Sequence, residues 1–215
     1  MTPETLVRRV PAIERGSFPD DASWSSASVL DLVRAQDGRG VVFETRARLL
    51  DDGRCLFVRF DCDDDDVWAT HVRRDAPLWE EEVVEVLLAP NDRVPARYVE
   101  IEVNPLGTIF DAQVTNPDGR RDTMKVDASW DAVGLAARVV RPATGGWRAE
   151  IALPWADACA GDPPPVWRAN FFRIERPRGG EPEFSCWSPT LAEPPDFHKP
   201  SAFGRLVREG EVRSR

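Results

Sequence analysis

Along most of this chain apolar and polar side chains alternate with a period of two, a pattern that extended strands satisfy and helices do not. In Cys55 to Cys62, Leu56, Val58, Phe60 and Cys62 share one face, while Phe57, Arg59 and Asp61 share the other. In Tyr98 to Asn104, Val99, Ile101 and Val103 point one way; Tyr98, Glu100, Glu102 and Asn104 point the other. Trp147, Ala149, Ile151 and Leu153 alternate in the same manner with Arg148, Glu150 and Ala152. Further strands are expected over 41–50, 83–88, 108–114, 135–141, 167–175 and 205–207. Turn sequences such as LDDGR, NPDGR, ATGGW and RPRGG separate them. No amphipathic stretch is long enough for a βαβ crossover, and the best helical segment is a short turn beginning near Pro154 with Trp155 and Ala156. Many short strands joined by such turns predict an all-β fold, an antiparallel β-sandwich of jelly-roll-like kind with few short helices. The 215 residues suit one such domain, spanning 1–215.

Charge limits the partners. The formal net charge is −9 and the pI about 4.9, so nucleic-acid backbones and anionic membranes are repelled in bulk, and neither is expected as a partner. No stretch has the apolar length of a membrane span. Taken from its first residue, the N-terminus MTPETLVRRVPAIERG lacks the apolar run of a secretory signal. That predicts an acidic, soluble, cytoplasmic protein, or a secreted one if a leader has been trimmed away. Cys55, Cys62, Cys159 and Cys186 match neither a zinc spacing nor a CxxC pair and are expected as free, mostly buried thiols.

The chemistry-bearing segment is APLWEEEVVEVLLAP, Ala76 to Pro90. Trp79 follows a polar loop ending in proline and precedes three glutamates, and Glu85 follows on an apolar strand. An aromatic at a strand entrance can stack on a sugar ring while acids beyond it bond the hydroxyls; it can equally plug a core. Phe197, in PPDFHKPSAFG, is a second loop aromatic. The polar face of Tyr98 to Asn104 reads either as a solvated outer face, the commoner case, or as a binding face that Glu85 could join. The acidic run DCDDDD makes Asp61, Asp63, Asp64 and Asp65 weak calcium candidates, without EF-hand spacing. A solvated turn is the commoner meaning of such a run. There is no GxSxG elbow, HExxH pair or glycine-rich phosphate loop, so catalysis is not the default.

Taken in order, WSSAS, TRARLLDDGRCLFVRFDCDD, APLWEEEVVEVLLAP, YVEIEVNPLGTIFDA, WRAEIALPW, WRANFFRIER and CWSP followed by PSAFGRL resemble family 9 carbohydrate-binding modules and their DOMON-like relatives. The likeness runs from about Pro11 to Val207, which marks the expected core of the domain. The resemblance implies a β-sandwich, often with structural calcium, that holds sugars between two stacked aromatics. It places the first clamp ring on Trp79 and a hydroxyl-binding acid on Glu85. A binding arginine and asparagine fall on Glu102 and Asn104, the first with its charge reversed. The second clamp tryptophan falls on Phe197, which keeps a stacking face with less contact area.

The expected function is therefore non-catalytic binding of a mono-, oligo- or polysaccharide, in polysaccharide or oligosaccharide catabolism. Trp79 and Phe197 would stack; Glu85, Glu102 and Asn104 would bond hydroxyls, with Tyr98 and His198 at the periphery. No cofactor is required beyond a possible structural calcium. Three alternatives stay open on the same fold: a haem-binding electron-transfer domain using Met124 with His71 or His198, a glycoside-active enzyme, and a protein-interaction module.

Overall fold

The computed structural model describes residues 2–91 and 93–210; the ends of the expected 1–215 domain lie outside that range. Among the described residues, fourteen strands follow in chain order: β1 (Glu4–Arg9), β2 (Ser28–Asp31), β3 (Val33–Arg34), β4 (Thr45–Asp51), β5 (Cys55–Cys62), β6 (Val83–Ala89), β7 (Arg97–Val103), β8 (Ile109–Thr115), β9 (Lys125–Asp127), β10 (Ala136–Val140), β11 (Trp147–Pro154), β12 (Val166–Glu175), β13 (Glu183–Cys186) and β14 (Gly204–Arg208). Helix is confined, among the described residues, to α1 (Asp21–Ser25), α2 (Trp155–Ala158) and two short 3₁₀ turns. Asp20 caps α1 by accepting from the Ser23 N–H at 2.8 Å.

One sheet runs β10-β11-β5-β4, with β2 on the far edge of β4; the other runs β14-β12-β6-β7-β8-β9. Strand β13 continues along the β12 edge that β14 leaves, pairing Phe172 with Cys186. All these pairings are antiparallel, as the turn-rich sequence predicts. Strand β1 departs from that rule. Its first four residues pair in parallel with β14 and its last two pair in parallel with β4, so it joins the two sheets. Val7, at the crossing point, is fully buried, although it precedes the span of the family likeness.

The alternation seen in the sequence sorts the side chains into layers. Leu56, Val58, Phe60 and Cys62 from β5, Ala149 and Ile151 from β11, and Val84, Val86, Val99 and Ile101 from β6 and β7 make one central core. Trp155 and Trp167 meet in it with ring centroids 4.7 Å apart. Burying one such aromatic contributes ~1.5–3 kcal/mol by transfer alone. The opposite face of β6, β7, β8 and β12 is not a solvated surface. Leu87, Tyr98, Phe110, Phe172, Phe197 and Phe203 form a second cluster there, roofed by the loops that follow β5, β8 and β13. The four cysteines are free, two buried and two half-buried.

Candidate ligand pocket

Strand register writes the floor of this second layer. Phe172 on β12 lies opposite Glu85 on β6; Glu85 lies opposite Glu102 on β7; Glu102 lies opposite Phe110 on β8. The row therefore reads Phe, Glu, Glu, Phe across four strands, about 14 Å from end to end at the usual strand spacing. Two acids directly opposite each other repel and weaken a sheet. Period two adds Glu100, two residues from Glu102, to the same face. Carboxylate oxygens of Glu85, Glu100 and Glu102 all lie within 4.8 Å of one another, and all three residues are buried.

The candidate stacking rings stand over the two ends of that row. Trp79 meets Phe110 edge to face, centroids 5.3 Å apart and planes at 83°. Phe197 stacks on Phe172 at 4.3 Å and 23°, and Phe184 meets Phe197 edge-on at 6.0 Å. Trp79 is 43% exposed and Phe197 only 6%. One face of Phe197 is thus committed to the protein, while Trp79 projects into solvent. The three glutamates after Trp79 have separate tasks. Glu80 sits in the 3₁₀ turn Leu78–Glu80, whose Leu78 is fully buried. Glu81 accepts from the Thr70 N–H and hydroxyl and from the His71 N–H, tying down the facing loop. Glu82 turns inward and accepts from the Trp68 N–H at 3.0 Å. Arg176 donates to the Trp79 carbonyl at 2.9 Å and holds the turn from above.

Together these residues enclose a pocket of about 310 Å³, which Trp79, Glu85, Glu100, Glu102, Phe197 and His198 line, along with Phe110, Phe184, Arg121 and Arg176. Of the residues expected from sequence, five meet here: Trp79, Glu85, Glu102, Phe197 and His198. Tyr98 stands behind His198, its hydroxyl 2.9 Å from Nδ1, and Asn116 Nδ2 donates both to that hydroxyl and to the His198 carbonyl. Asn104 does not line the pocket. Its Oδ1 accepts from the Leu106 and Thr108 N–H groups and its Nδ2 donates to the His71 carbonyl, so it builds the turn after β7 that Gly107 closes at φ +80°. Glu100, Phe110, Phe184, Arg121 and Arg176 are additional lining residues. Alternation already put Glu100 on the correct face. Arg121 sits in a turn and Arg176 in the loop directly after β12, where no periodicity signals a direction.

Burial sets the electrostatics. Desolvation, and then the neighbouring carboxylates, push Glu85 and Glu102 well above the usual carboxylate range. Desolvation also raises Glu100, to about 7, against the lowering influence of Arg121. His198, with Nε2 3.4 Å from Glu100 Oε1, is pushed down to about 4 by desolvation and by Arg121. Arg121 gives its Nε to Asp196 at 2.8 Å, and Lys199 reaches the other oxygen of Asp196 at 2.9 Å. Glu102 Oε2 is buried without a hydrogen-bond partner. Met124 and His198 share this pocket, but both ring nitrogens of His198 face protein groups, Tyr98 and Glu100.

A second acidic cluster lies nearby. Asp64, Glu82 and Glu175 bring carboxylate oxygens within 4.8 Å of one another. Arg173, fully buried, donates to Asp64 at 3.0 Å, to the Asp63 carbonyl at 2.8 Å and to Glu175. Glu82 Oε2 and Glu175 Oε1 have no partner. Desolvation raises Glu82 to about 9 and Glu175 to about 7. Of the four aspartates expected as calcium candidates, Asp64 alone joins this cluster. Asp61 pairs with Arg48, Arg59 and Arg148 on the other sheet, Asp63 contributes its carbonyl to Arg173, and Asp65 is exposed.

The family model described as carbohydrate-binding family 9 matches residues 40–207. A relative from Arthroderma benhamiae, named only as an extracellular protein, is 27% identical over 181 residues, covering 76% of this chain and 78% of its own. A putative carbohydrate-binding protein from Bacteroides uniformis superposes with a TM-score of 0.76 at 20% identity, over 97% of this chain and all of that one. A family 9 module from Caldicellulosiruptor kristjanssonii, solved with cellotriose, superposes with a TM-score of 0.65 at 15% identity, over 98% of this chain and 95% of that one. At these identities the structural likeness establishes the fold.

Proposed function

The chain belongs to carbohydrate-binding family 9, and on that footing we propose that it binds a saccharide in the pocket over β6, β7, β8 and β12. It is a binding module rather than a catalyst. The observation that carries the site is the Phe172, Glu85, Glu102, Phe110 row, with Trp79 seated on one end and Phe197 on the other. Apolar ring faces would meet the C–H face of a sugar, and the acids between them would accept from its hydroxyls. Glu85 and Glu102 make the central polar contacts in this reading, and His198 contributes at the edge. Tyr98 and Asn104 act one step removed, through His198 and the β7–β8 turn. Binding of cellotriose and of glucose by structurally similar modules supports a saccharide partner. We extend this proposal to a part in oligosaccharide or polysaccharide breakdown. Calorimetric titration with glucose, cellobiose and cellotriose, backed by a glycan array, tests it. Binding that is lost in Trp79→Ala supports the reading; silence across all saccharides, or binding indifferent to Trp79, overturns it.

The cluster of Asp64, Glu82 and Glu175 fits a structural calcium ion. Three carboxylates face a single guanidinium, and two of their buried oxygens lack a partner, which suits an oxygen-seeking divalent cation. A bound ion would supply charge neutralisation under the Trp79 turn, since Glu82 follows that turn directly. Added calcium should raise the thermal midpoint and a chelator should reverse the gain; an unchanged midpoint rejects the site.

A further inference from the structure

Resting on the reading of the pocket as a saccharide site, we infer that its preferred ligand is an amino sugar, a hexose carrying a protonated primary amine held by Glu85, Glu100 and Glu102. Three carboxyl groups on the floor of one pocket can ionise together only against a positive charge. The cations around it are largely engaged elsewhere: Arg121 Nε is bonded to Asp196, and Arg176 to the Trp79 carbonyl. His198 faces Glu100 across 3.4 Å, with the Tyr98 hydroxyl on its other ring nitrogen, and Lys199 is paired with Asp196. Glu102, 1% exposed, lines the pocket and has one buried oxygen without any partner.

An ammonium group matches that arrangement in count and size. It has three N–H donors and no acceptor. A nitrogen about 2.8 Å from each of three oxygens requires those oxygens to lie within about 4.8 Å of one another, a limit the trio meets. A neutral sugar supplies hydroxyls but no charge. A divalent cation would want six or more oxygens, and no other oxygen-bearing side chain lines the pocket among the described residues.

The test is calorimetric titration at neutral pH in chelator-treated buffer. The probes are 2-amino-2-deoxyglucose, 6-amino-6-deoxyglucose, N-acetylglucosamine and glucose. At least one amino sugar should bind about tenfold or more tighter than glucose, since charge-assisted hydrogen bonds outweigh neutral ones. N-acetylation, which removes the charge, should abolish the advantage. Binding of the amino sugar should release protons from the trio, so its apparent enthalpy should vary with the buffer and its affinity should rise from pH 5 to 7. Glu102→Gln should shrink the ratio between amino sugar and glucose. Equal affinity for glucose and both amino sugars overturns the inference and leaves the saccharide reading standing. Sugar binding that appears only with added calcium, without an amine preference, also overturns it. Failure of every sugar, cellotriose included, removes the saccharide reading itself.

Discussion

At Trp79 the sequence left two roles open, core plug or ligand platform, and exposure separates them. A side chain 43% exposed and touching Phe110 by its edge contributes modestly to the core. Trp79→Ala should therefore cost little stability and weaken saccharide binding about 30-fold or more, the ~2 kcal/mol typical of a central aromatic anchor. Titration beside calorimetric melting checks both halves. Asn104 is the reverse case. All of its side-chain hydrogen bonds go to the turn and to the His71 carbonyl. Asn104→Ala should lower stability by about 2–3 kcal/mol by leaving buried groups unpaired, with saccharide affinity changed little; a denaturant melt and one titration decide it. A large affinity loss at unchanged stability would return Asn104 to the binding surface.

Among the elements, register did what no single strand could. Period two told which residues of β6 and β7 share a face, but the pairing of Glu85 with Glu102 depends on how the two strands are aligned. A slip of one residue would send these acids into the central core. The same holds for β12, where Phe172 faces the pocket layer and Arg173, its neighbour, is buried beside Asp64 and Glu175. Arg173→Met should cost about 3–5 kcal/mol, because it strips the counter-charge from buried carboxylates, and calcium should recover part of the loss. Thermal melts with and without calcium measure this. Strand β1, by contrast, carried little periodic signal in its sequence: burial alternates from Glu4 to Arg8, but it buries the polar Thr5 and exposes the apolar Leu6. Its parallel seat between β14 and β4 became evident only once both partners were assembled.

For the molecule as a whole, the buried acids make stability depend on pH. Glu100 and Glu175 titrate at about 7 and Glu82 at about 9, each raised from 4.5 by desolvation. A raised carboxyl favours the folded state while protonated, so that contribution is full below about 4.5 and is lost as pH climbs through 7 and 9. His198 works from the other side: lowered from 6.5 to about 4, it favours the folded state when neutral, and its contribution is lost as pH falls through that window. Between pH 4.5 and 6.5 the raised carboxyls outnumber the one lowered imidazole, so the thermal midpoint of the free protein should be highest near pH 4.5 and decline toward pH 9. Glu100→Gln should flatten the decline around pH 7. A midpoint that rises steadily from pH 6 to 9 would contradict this assignment. By itself the sequence determined the strand class, the sorting of side chains between faces and the candidate rings, because alternation and turn chemistry are local properties. The tertiary structure decided that the outer face of one sheet is roofed into a pocket. It also decided that Glu85, Glu100 and Glu102 converge there, and that Arg121 arrives from a turn with no periodic signal. Those outcomes depend on strand register and loop packing between residues far apart in the chain, which no local pattern encodes.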